Sequence, residues 1–243
     1  AVGINASTGK YGGSAIVSNS GDITITSSAD GDAVGIRASS SGKYAEGSTV
    51  VNNSGDIMVS SPYQAAGIWA TSTNDASIYN SGNITVASEE GRARGLYAIA
   101  DDGVGTIINS GDLSVVGGIG VVGAGAAGSY GATTINSGDI SVTSTRYEVL
   151  TDYYGVDYYA GGWAYGVFAS TRFLGVAEVI NSGDIDVNGI TRGTGLSANS
   201  RFGSTYIANE GNLTVNGELE SAYGINTSGN SREEFLYGET GYT

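Results

Sequence analysis

Short segments with alternating apolar and polar residues recur along the whole chain. In one kind of segment, two apolar residues flank a polar one, as in residues 23–25 and 84–86. Residues two apart share one face of a β-strand, so this alternation predicts strands with one buried face. The apolar pairs are Ile23/Ile25, Ile57/Val59, Ile84/Val86, Leu113/Val115, Ile140/Val142, Ile185/Val187 and Leu213/Val215. No helical apolar period is found, and Pro62 is the single proline, which favours an all-β chain.

A polar turn, Asn-Ser-Gly-Asp-Ile or a near copy, precedes each of these strands. It occurs at Asn19–Ile23, Asn53–Ile57, Asn80–Ile84, Asn109–Leu113, Asn136–Ile140, Asn181–Ile185 and Asn209–Leu213. Subtracting the positions of the Asn residues gives steps of 34, 27, 29, 27, 45 and 28 residues. Repeats of this length predict a solenoid, in which each repeat forms one coil that stacks on the previous coil.

A second motif, Ala-x-Gly-Ile, alternates with the turn. It occurs at Ala1–Ile4, Ala33–Ile36, Ala65–Ile68, Ala93–Leu96, Gly118–Val121, Ala164–Val167, Gly193–Leu196 and Ala222–Ile225. Three residues after its Gly, a column of mostly small residues is expected, formed by Ala6, Ala38, Ala70, Ala98, Gly123, Ala169, Ala198 and Thr227. Together with the strand that ends at each motif Asn, this gives three strands per coil. We therefore predict one parallel β-solenoid over residues 1–228, with about seven to eight coils, followed by a non-repeat tail at residues 229–243.

The motif Asn residues are predicted to form a structural column of turns. These residues are Asn19, Asn53, Asn80, Asn109, Asn136, Asn181 and Asn209. Each amide can donate to, and accept from, an identical amide in the neighbouring coil. We expect Asn to adopt the left-handed backbone of a sharp turn, and the Gly two residues later to supply a positive φ.

The Asn-Ser-Gly-Asp-Ile turns and the Ala-x-Gly-Ile-x-Ala strands resemble the passenger regions of bacterial autotransporters and related large surface proteins. The resemblance covers Ala1 to about Thr227. It implies a right-handed parallel β-helix, a hand that agrees with the general chirality of parallel crossovers. It also implies export, so that the mature chain would be extracellular or lie on the bacterial surface. The membrane barrel and the aromatic-rich autochaperone segment of that family are not found in the sequence.

Composition and charge exclude several classes of function. The net charge is −14, from 24 acids and 10 bases, which argues against a nucleic-acid partner because phosphate recognition needs a basic face. No apolar stretch is long enough to span a membrane. Histidine is absent, which removes Ser-His-Asp triads and imidazole acid-base chemistry. We therefore predict no catalytic residue and no cofactor. The alternative is a β-helix carbohydrate-cleaving enzyme that uses the neighbouring acids Glu89-Glu90 or Asp101-Asp102, although such pairs are usually solvated.

The acidic residues of the turns are predicted to form a column along one edge. The column contains Asp22, Asp56, Asp112, Asp139 and Asp184, and is interrupted by Asn83 and Asn212. Carboxylates stacked about 5 Å apart repel each other unless a partner offsets their charge. Backbone N–H groups of the turn, as in Asx-turns, are one such partner. Structural calcium is the other, although the spacing matches neither an EF-hand loop nor a nonapeptide repeat.

An outward column two residues after the Gly of the strand motif carries large side chains. Its members are Asn5, Arg37, Trp69, Tyr97, Val122, Phe168, Ser197 and Asn226, so four consecutive coils would place Trp69, Tyr97, Val122 and Phe168 side by side. The 45-residue step contains a Tyr-rich insertion at about residues 143–163, with Tyr147, Tyr153, Tyr154, Tyr158, Tyr159 and Trp163. Either this insertion covers the apolar column, or the two together form an aromatic contact surface.

These features favour a structural and adhesive protein. We predict head-to-tail self-assembly into a fibre or surface layer through uncapped coil ends and the tail, which carries Phe235, Tyr237 and Tyr242. The first alternative is a monomeric adhesin that binds a glycan or a protein receptor through the Tyr-rich insertion. The second alternative is the enzyme described above.

Overall fold

The computed structural model describes residues 1–9, 12–28, 31–42, 47–151, 157–229 and 234–237. Over these residues the chain forms strands and turns, with no helix. Sheet A contains β1 (Val2–Thr8), β4 (Ala33–Ser40), β7 (Ala65–Ser72), β10 (Arg92–Ala100), β13 (Gly120–Gly128), β18 (Trp163–Thr171), β21 (Arg192–Ser200) and β24 (Ser221–Gly229).

The other two sheets run parallel to the same stacking axis. Sheet B contains β2 (Ala15–Asn19), β5 (Thr49–Asn53), β8 (Ala76–Asn80), β11 (Val104–Asn109), β14 (Gly131–Asn136), β19 (Ala177–Asn181), β22 (Thr205–Asn209) and β25 (Glu234–Tyr237). Sheet C contains β3 (Ile23–Thr26), β6 (Ile57–Ser61), β9 (Ile84–Ser88), β12 (Leu113–Gly117), β15 (Ile140–Ser144), β20 (Ile185–Gly189) and β23 (Leu213–Gly217).

Each of the first seven coils contributes one strand to each sheet, and neighbouring strands within all three sheets are parallel. The molecule is therefore a parallel β-solenoid of about seven turns, which confirms the predicted all-β fold. Coils follow one another at the strand spacing of about 4.8 Å. The turn motif forms the corner between sheets B and C, and the variable loops form the other two corners.

The core consists of columns of the same position repeated from coil to coil. Sheet C places Ile57 against Ile84, and sheet B places Val51 against Ile78, in the predicted register. These side chains are fully buried, as is Ile68 of sheet A. Burying one such side chain contributes about 1.5–3 kcal/mol, so the stacked columns supply most of the driving force for folding.

The fifth coil departs from the predicted register by three residues. Val121 pairs with Ala93 and Ala124 pairs with Leu96, so the strand motif of this coil is residues 121–124 rather than 118–121. In the column of small residues, Ala126 takes the place predicted for Gly123. The stretch from 117 to 128 contains six glycines, and a residue without a side chain does not mark which face of a strand is buried.

The insertion lies at the corner between sheets C and A. Its residues are 145–162, because β15 ends at Ser144 and β18 begins at Trp163. Within it, β16 (Glu148–Thr151) and β17 (Asp157–Ala160) form an antiparallel hairpin. At the far end of the rod, β25 pairs in parallel with β22, so residues 234–237 of the predicted tail extend sheet B by one strand.

Candidate functional site

The motif Asn side chains form a continuous hydrogen-bonded column. Each Nδ2 donates to the Oδ1 of the Asn in the next coil, at 2.7–2.8 Å along all six steps from Asn19 to Asn209. Each Nδ2 also donates to the carbonyl O of the Gly two residues later, at 2.6–2.7 Å. All of these Asn side chains except Asn19 are buried. The column is therefore part of the scaffold.

The expected left-handed backbone of this turn is wrong. No described residue other than glycine has a positive φ, and the five glycines that do are outside the turn motif. The motif Gly is instead required by close packing of the coils. A Cβ on Gly55 would overlap the carbonyl O of Gly21, and a Cβ on Gly111 would overlap that of Gly82.

The turn acids accept hydrogen bonds from the backbone of the next coil. The Oδ1 of Asp112 accepts from the N–H of Asp139 at 2.9 Å, and that of Asp139 accepts from the N–H of Asp184 at 2.9 Å. Asp22 and Asp56 make the same contact at 3.0 and 2.8 Å. The donor thus lies in the neighbouring coil, not in an Asx-turn of the same coil. Among the described residues, no group of three or more metal-ligating side chains could hold an ion, and calcium binding at these carboxylates stays a prediction.

Asp184 has the most complete set of donors in this column. Its carboxylate accepts from the backbone N–H of Asn212 at 2.9 Å and from the side-chain amide of Asn212 at 3.0 and 3.1 Å. These hydrogen bonds favour the charged form and lower the pKa of Asp184 below its ordinary value.

The outward column of sheet A contains Gly125 in the place predicted for Val122. Trp69 pairs with Tyr97, Tyr97 with Gly125, and Gly125 with Phe168. Val122 belongs to a parallel column and is only 4% exposed. The error follows from the three-residue shift of the fifth coil.

Aromatic rings nevertheless make continuous contact across this face. The rings of Trp69 and Tyr97 lie 6.2 Å apart between centroids, at an interplanar angle of 89°. The ring of Phe168 lies over Gly125 and comes within 6.0 Å of Tyr97, two coils away. A Cβ on Gly125 would overlap the ring of Phe168. The ring of Phe168 can therefore reach Tyr97 only because residue 125 has no side chain.

A second outward column adds rings and a cation. Its members precede the motif Gly, and include Arg94, Val122 and Tyr165. The ring of Tyr165 lies 6.3 Å from that of Phe168 and 5.6 Å from that of Trp163. Together, Trp69, Arg94, Tyr97, Trp163, Tyr165 and Phe168 form a half-buried patch, here called the aromatic surface. The sequence prediction missed Arg94 and Tyr165 because it followed only one of the two outward columns.

The guanidinium group of Arg94 lies over two rings of the aromatic surface. Its Cζ is 5.1 Å from the ring centroid of Trp69 and 5.2 Å from that of Tyr97. Arg37, on the neighbouring strand β4, has its Cζ 5.9 Å from the ring centroid of Trp69. Burial lowers the pKa of Arg94, with an opposing effect of Tyr97, yet a guanidinium remains charged at neutral pH.

The two strands of the hairpin, β16 and β17, pair with each other. That the insertion covers the outward column of sheet A stays a prediction. Val149 is 53% exposed, and Leu150 and Tyr147 are also exposed. Tyr158 and Tyr159 lie in β17, and Phe235 and Tyr237 in β25, where only the backbone is described; Tyr153, Tyr154 and Tyr242 lie outside the described residues.

A second exposed apolar cluster lies at the corner between sheets A and B, and sequence reasoning missed it. The rings of Tyr130 and Phe173 lie 6.3 Å apart, and Leu174 is 68% exposed beside them. Phe202 of the next coil is also exposed, with the Cζ of Arg201 5.1 Å from its ring centroid. These residues lie in loops of different length, so they do not recur at a fixed spacing from the repeat motifs. Their proximity is therefore not visible in the sequence.

The acids proposed for catalysis lie at two different corners. Glu89 and Glu90 lie between sheets C and A, where Glu90 pairs with Arg146 at 3.3 Å. Asp101 and Asp102 are exposed between sheets A and B. The structure thus does not bring the two pairs together. That the protein is not an enzyme remains a prediction.

Comparison of the chain with protein-family models, with curated proteins and with solved structures finds no match. The resemblance to autotransporter passengers therefore rests on the repeat residues alone. The described part of the chain has no helix that is long and apolar enough to cross a membrane.

Proposed function

We propose that this protein is a bacterial extracellular or cell-surface rod with a structural and adhesive role, and that it contacts a partner through the aromatic surface of sheet A. The observation that carries the proposal is the run of ring contacts from Trp69 to Trp163, which crosses four strands on one face of the rod. Large, half-exposed aromatic residues that form a contiguous patch mark interaction sites on soluble proteins. The resemblance of the repeats to exported passenger regions supports the location.

Adhesion can be tested with beads coated with the purified protein. We expect the beads to attach to cultured epithelial cells or to one another, and we expect the double variant Trp69→Ala/Tyr97→Ala to lose this attachment. Tyr79→Ala is the matched control, because Tyr79 is an exposed ring on sheet B. Equal attachment by the double variant and the unsubstituted protein would refute a role for the aromatic surface.

The projecting hairpin supports the alternative of a monomeric adhesin that binds through its insertion. Deleting residues 147–161 removes the hairpin and leaves the strands of the solenoid intact. Arg146 donates its N–H to Gly118 O, and Gly162 donates its N–H to Ile119 O, so joining Arg146 to Gly162 recreates the corner of the other coils. If the hairpin binds the partner, the deletion variant will fold and lose attachment. If sheet A binds it, the variant will retain attachment.

The exposed edges of the terminal coils support head-to-tail association as a second candidate. Ile4 and Ile225 face the core, yet they are less buried than Ile36 or Leu196 in the same sheet. Further coils or a second copy would cover these edges equally well. Sedimentation velocity of residues 1–243 over a range of concentrations tests association. Growing oligomers that disappear when residues 229–243 are deleted would support it, and a monomer at all concentrations would refute it.

A further inference from the structure

We infer that the aromatic surface binds an anionic carbohydrate, and that Arg94 makes the central contact with its carboxylate or sulfate groups. The inference rests on the proposed function, since it names the chemical class of the partner for the same surface. It follows from the charge distribution of sheet A, from the unused donors of Arg94 and from the spacing of the rings.

Sheet A is a locally basic face of an acidic protein. Its eight strands contain no Asp or Glu, although the whole chain has 24 acids. The same strands contain four of the ten basic residues of the chain, namely Arg37, Arg92, Arg94 and Arg192. Acids flank these strands at both corners, with Asp32 and Glu220 before β4 and β24 and Asp101 after β10. A local excess of positive charge on an acidic protein selects an anionic partner for this face.

Arg94 is held in place and forms no ion pair with a described residue, and the carboxylate of Asp32 acts on its charge only from beyond ion-pair distance. The described residues include two ion pairs, Arg146 with Glu90 and Arg192 with Glu220, and neither involves Arg94. Its guanidinium is stacked on Trp69 and Tyr97, and it donates no hydrogen bond to a described residue. A guanidinium has five N–H donors in a rigid fork, which matches the geometry of a carboxylate. Partial burial strengthens the attraction to an anion, because water screens it less.

The rings provide contacts for the faces of sugar rings. Aromatic side chains present large rigid apolar areas that need little ordering when a ligand binds. Neighbouring ring centroids lie 5.6–6.3 Å apart at interplanar angles of 65–89°, so a glycan along the rod axis would meet both faces and edges of the rings. A shallow depression at each end of the surface pairs a ring with a basic residue. One contains Arg37 and Trp69 together with Asp32, and the other contains Tyr165 and Arg192, which pairs there with Glu220.

Single-stranded nucleic acid is the other anionic polymer that stacks on aromatic and arginine surfaces. Its recognition requires a basic groove that follows the phosphates, and affinity grows with the number of phosphates neutralised. Sheet A offers three arginines without an ion pair among the described residues, Arg37, Arg92 and Arg94, and acids lie at the adjacent corner. The observations therefore favour a carbohydrate, in which anionic groups are interspersed with apolar sugar faces.

The test compares each anionic carbohydrate with its uncharged counterpart, and both with a single-stranded nucleic acid. Binding of the full chain is measured by biolayer interferometry to polygalacturonate and its methyl ester, to dextran sulfate and unmodified dextran, and to oligothymidylate. We expect binding to at least one anionic carbohydrate, with loss of binding to its uncharged counterpart. Preference for polygalacturonate would identify carboxylates as the groups recognised, and preference for dextran sulfate would identify sulfates. Tighter binding of oligothymidylate would overturn the inference in favour of nucleic acid.

Two substitutions locate the site. Arg94→Gln should weaken binding by about tenfold or more, the loss expected for a charge-assisted hydrogen bond. Arg201→Gln removes the same charge from a guanidinium that also lies near a ring, but at the corner between sheets A and B, and should leave binding unchanged. An equal loss of affinity in both variants would show that binding depends only on net charge, and would refute Arg94 as the central contact. Unchanged urea midpoints would exclude loss of folding as the cause.

The bead assay separates failure of this inference from failure of the proposed function. If no carbohydrate binds but attachment still requires Trp69 and Tyr97, the ligand class is wrong and the adhesive role stands. If attachment is also independent of these residues, both proposals are wrong.

Discussion

At the scale of single residues, the motif asparagine meets two needs with one side chain. Its amide donates to the Gly carbonyl of its own turn and to the amide of the next coil, as in Asn109 with Gly111 O at 2.6 Å and Asn136 Oδ1 at 2.8 Å. Asp lacks the donors, and Ser has only one. The column is buried, so each unpaired amide would cost the full desolvation of a polar group.

Asn109→Ala should lower the free energy of unfolding by about 3 kcal/mol, because it removes two donated hydrogen bonds and leaves buried acceptors unpaired. Asn19→Ala provides the control. Asn19 also donates twice, but it lies in the first coil and is partly exposed, so we expect a loss of about 1 kcal/mol. Urea unfolding followed by circular dichroism measures both values. Equal losses would contradict the dependence on burial.

The contribution of Asp184 to the stability of the fold depends on pH. Its folded-state pKa is lowered by hydrogen bonds from Asn212, so it stabilises the fold at pH values above its unfolded pKa of about 3.9. This contribution is lost as the pH falls through the lower, folded-state pKa. Asn212→Ala removes the amide donor but keeps the backbone donor, so the pKa of Asp184 should rise without reaching its ordinary value.

A carbon-13 NMR titration of the Asp184 carboxyl group measures this change. Asn216→Ala is the control, because the Asn216 amide donates to Asn188 Oδ1 and not to Asp184. The same rise in both variants would show that the shift does not come from Asn212.

At the scale of elements, each turn of the solenoid packs directly on the turn of the coil below. The motif glycines adopt ordinary backbone angles, so their role is to let carbonyl groups approach. Sheet A shows a related use of glycine at Gly125, where the space left by the side chain is filled by a ring from the next coil. In this solenoid, glycine therefore leaves room for backbone or ring atoms of the neighbouring coil.

Gly111→Ala should destabilise the protein by about 1–3 kcal/mol, because the new methyl group would overlap the backbone of Gly82. Gly21→Ala is the same substitution at the same motif position in the first coil, where nothing lies within 4 Å of the added carbon. It should be neutral or slightly stabilising, since Ala restricts the unfolded chain. Thermal and urea unfolding of the two variants measure this difference in stability. A similar loss in Gly21→Ala would point to a backbone requirement instead of packing.

At the scale of the whole molecule, strands pair only with strands of the neighbouring coils, and the ring contact between Tyr97 and Phe168 reaches one coil further. Stability is then close to a sum of coil and interface terms, and the terminal coils have a neighbour on one side only. The core residues of these coils, such as Ile23 and Leu213, are accordingly only partly buried.

Amide hydrogen exchange should therefore be graded along the rod. We expect the slowest exchange in β10, β11 and β12, and faster exchange in β1, β3 and β23, because opening an end coil breaks one interface and opening a central coil breaks two. Mass spectrometry of peptides from exchanged protein resolves this gradient. Uniform protection in all coils would show that the molecule opens as one cooperative unit.

Most of the fold was predictable because buried aliphatic residues alternate with polar ones and recur with the turn motif. The prediction failed at residues 117–128, where glycine does not distinguish the faces of a strand, and this moved Val122 into the wrong column. For the candidate site, Trp69, Tyr97 and Phe168 were placed on the correct face. Arg94 was missed because the prediction followed the outward column two residues after the motif Gly, whereas Arg94 belongs to the column one residue before it.

The asparagine column also gives the rod a direction. Every amide donates toward the later coil, from Asn19 to Asn53 and onward to Asn209, so the amide dipoles align along the axis. The first amide presents its oxygen and the last its N–H group to whatever lies beyond. A continuation in the same orientation, by further coils or another copy, extends the column. A continuation in the opposite orientation would set oxygen against oxygen at the first coil, or N–H against N–H at the last, so the column favours one orientation for any added unit.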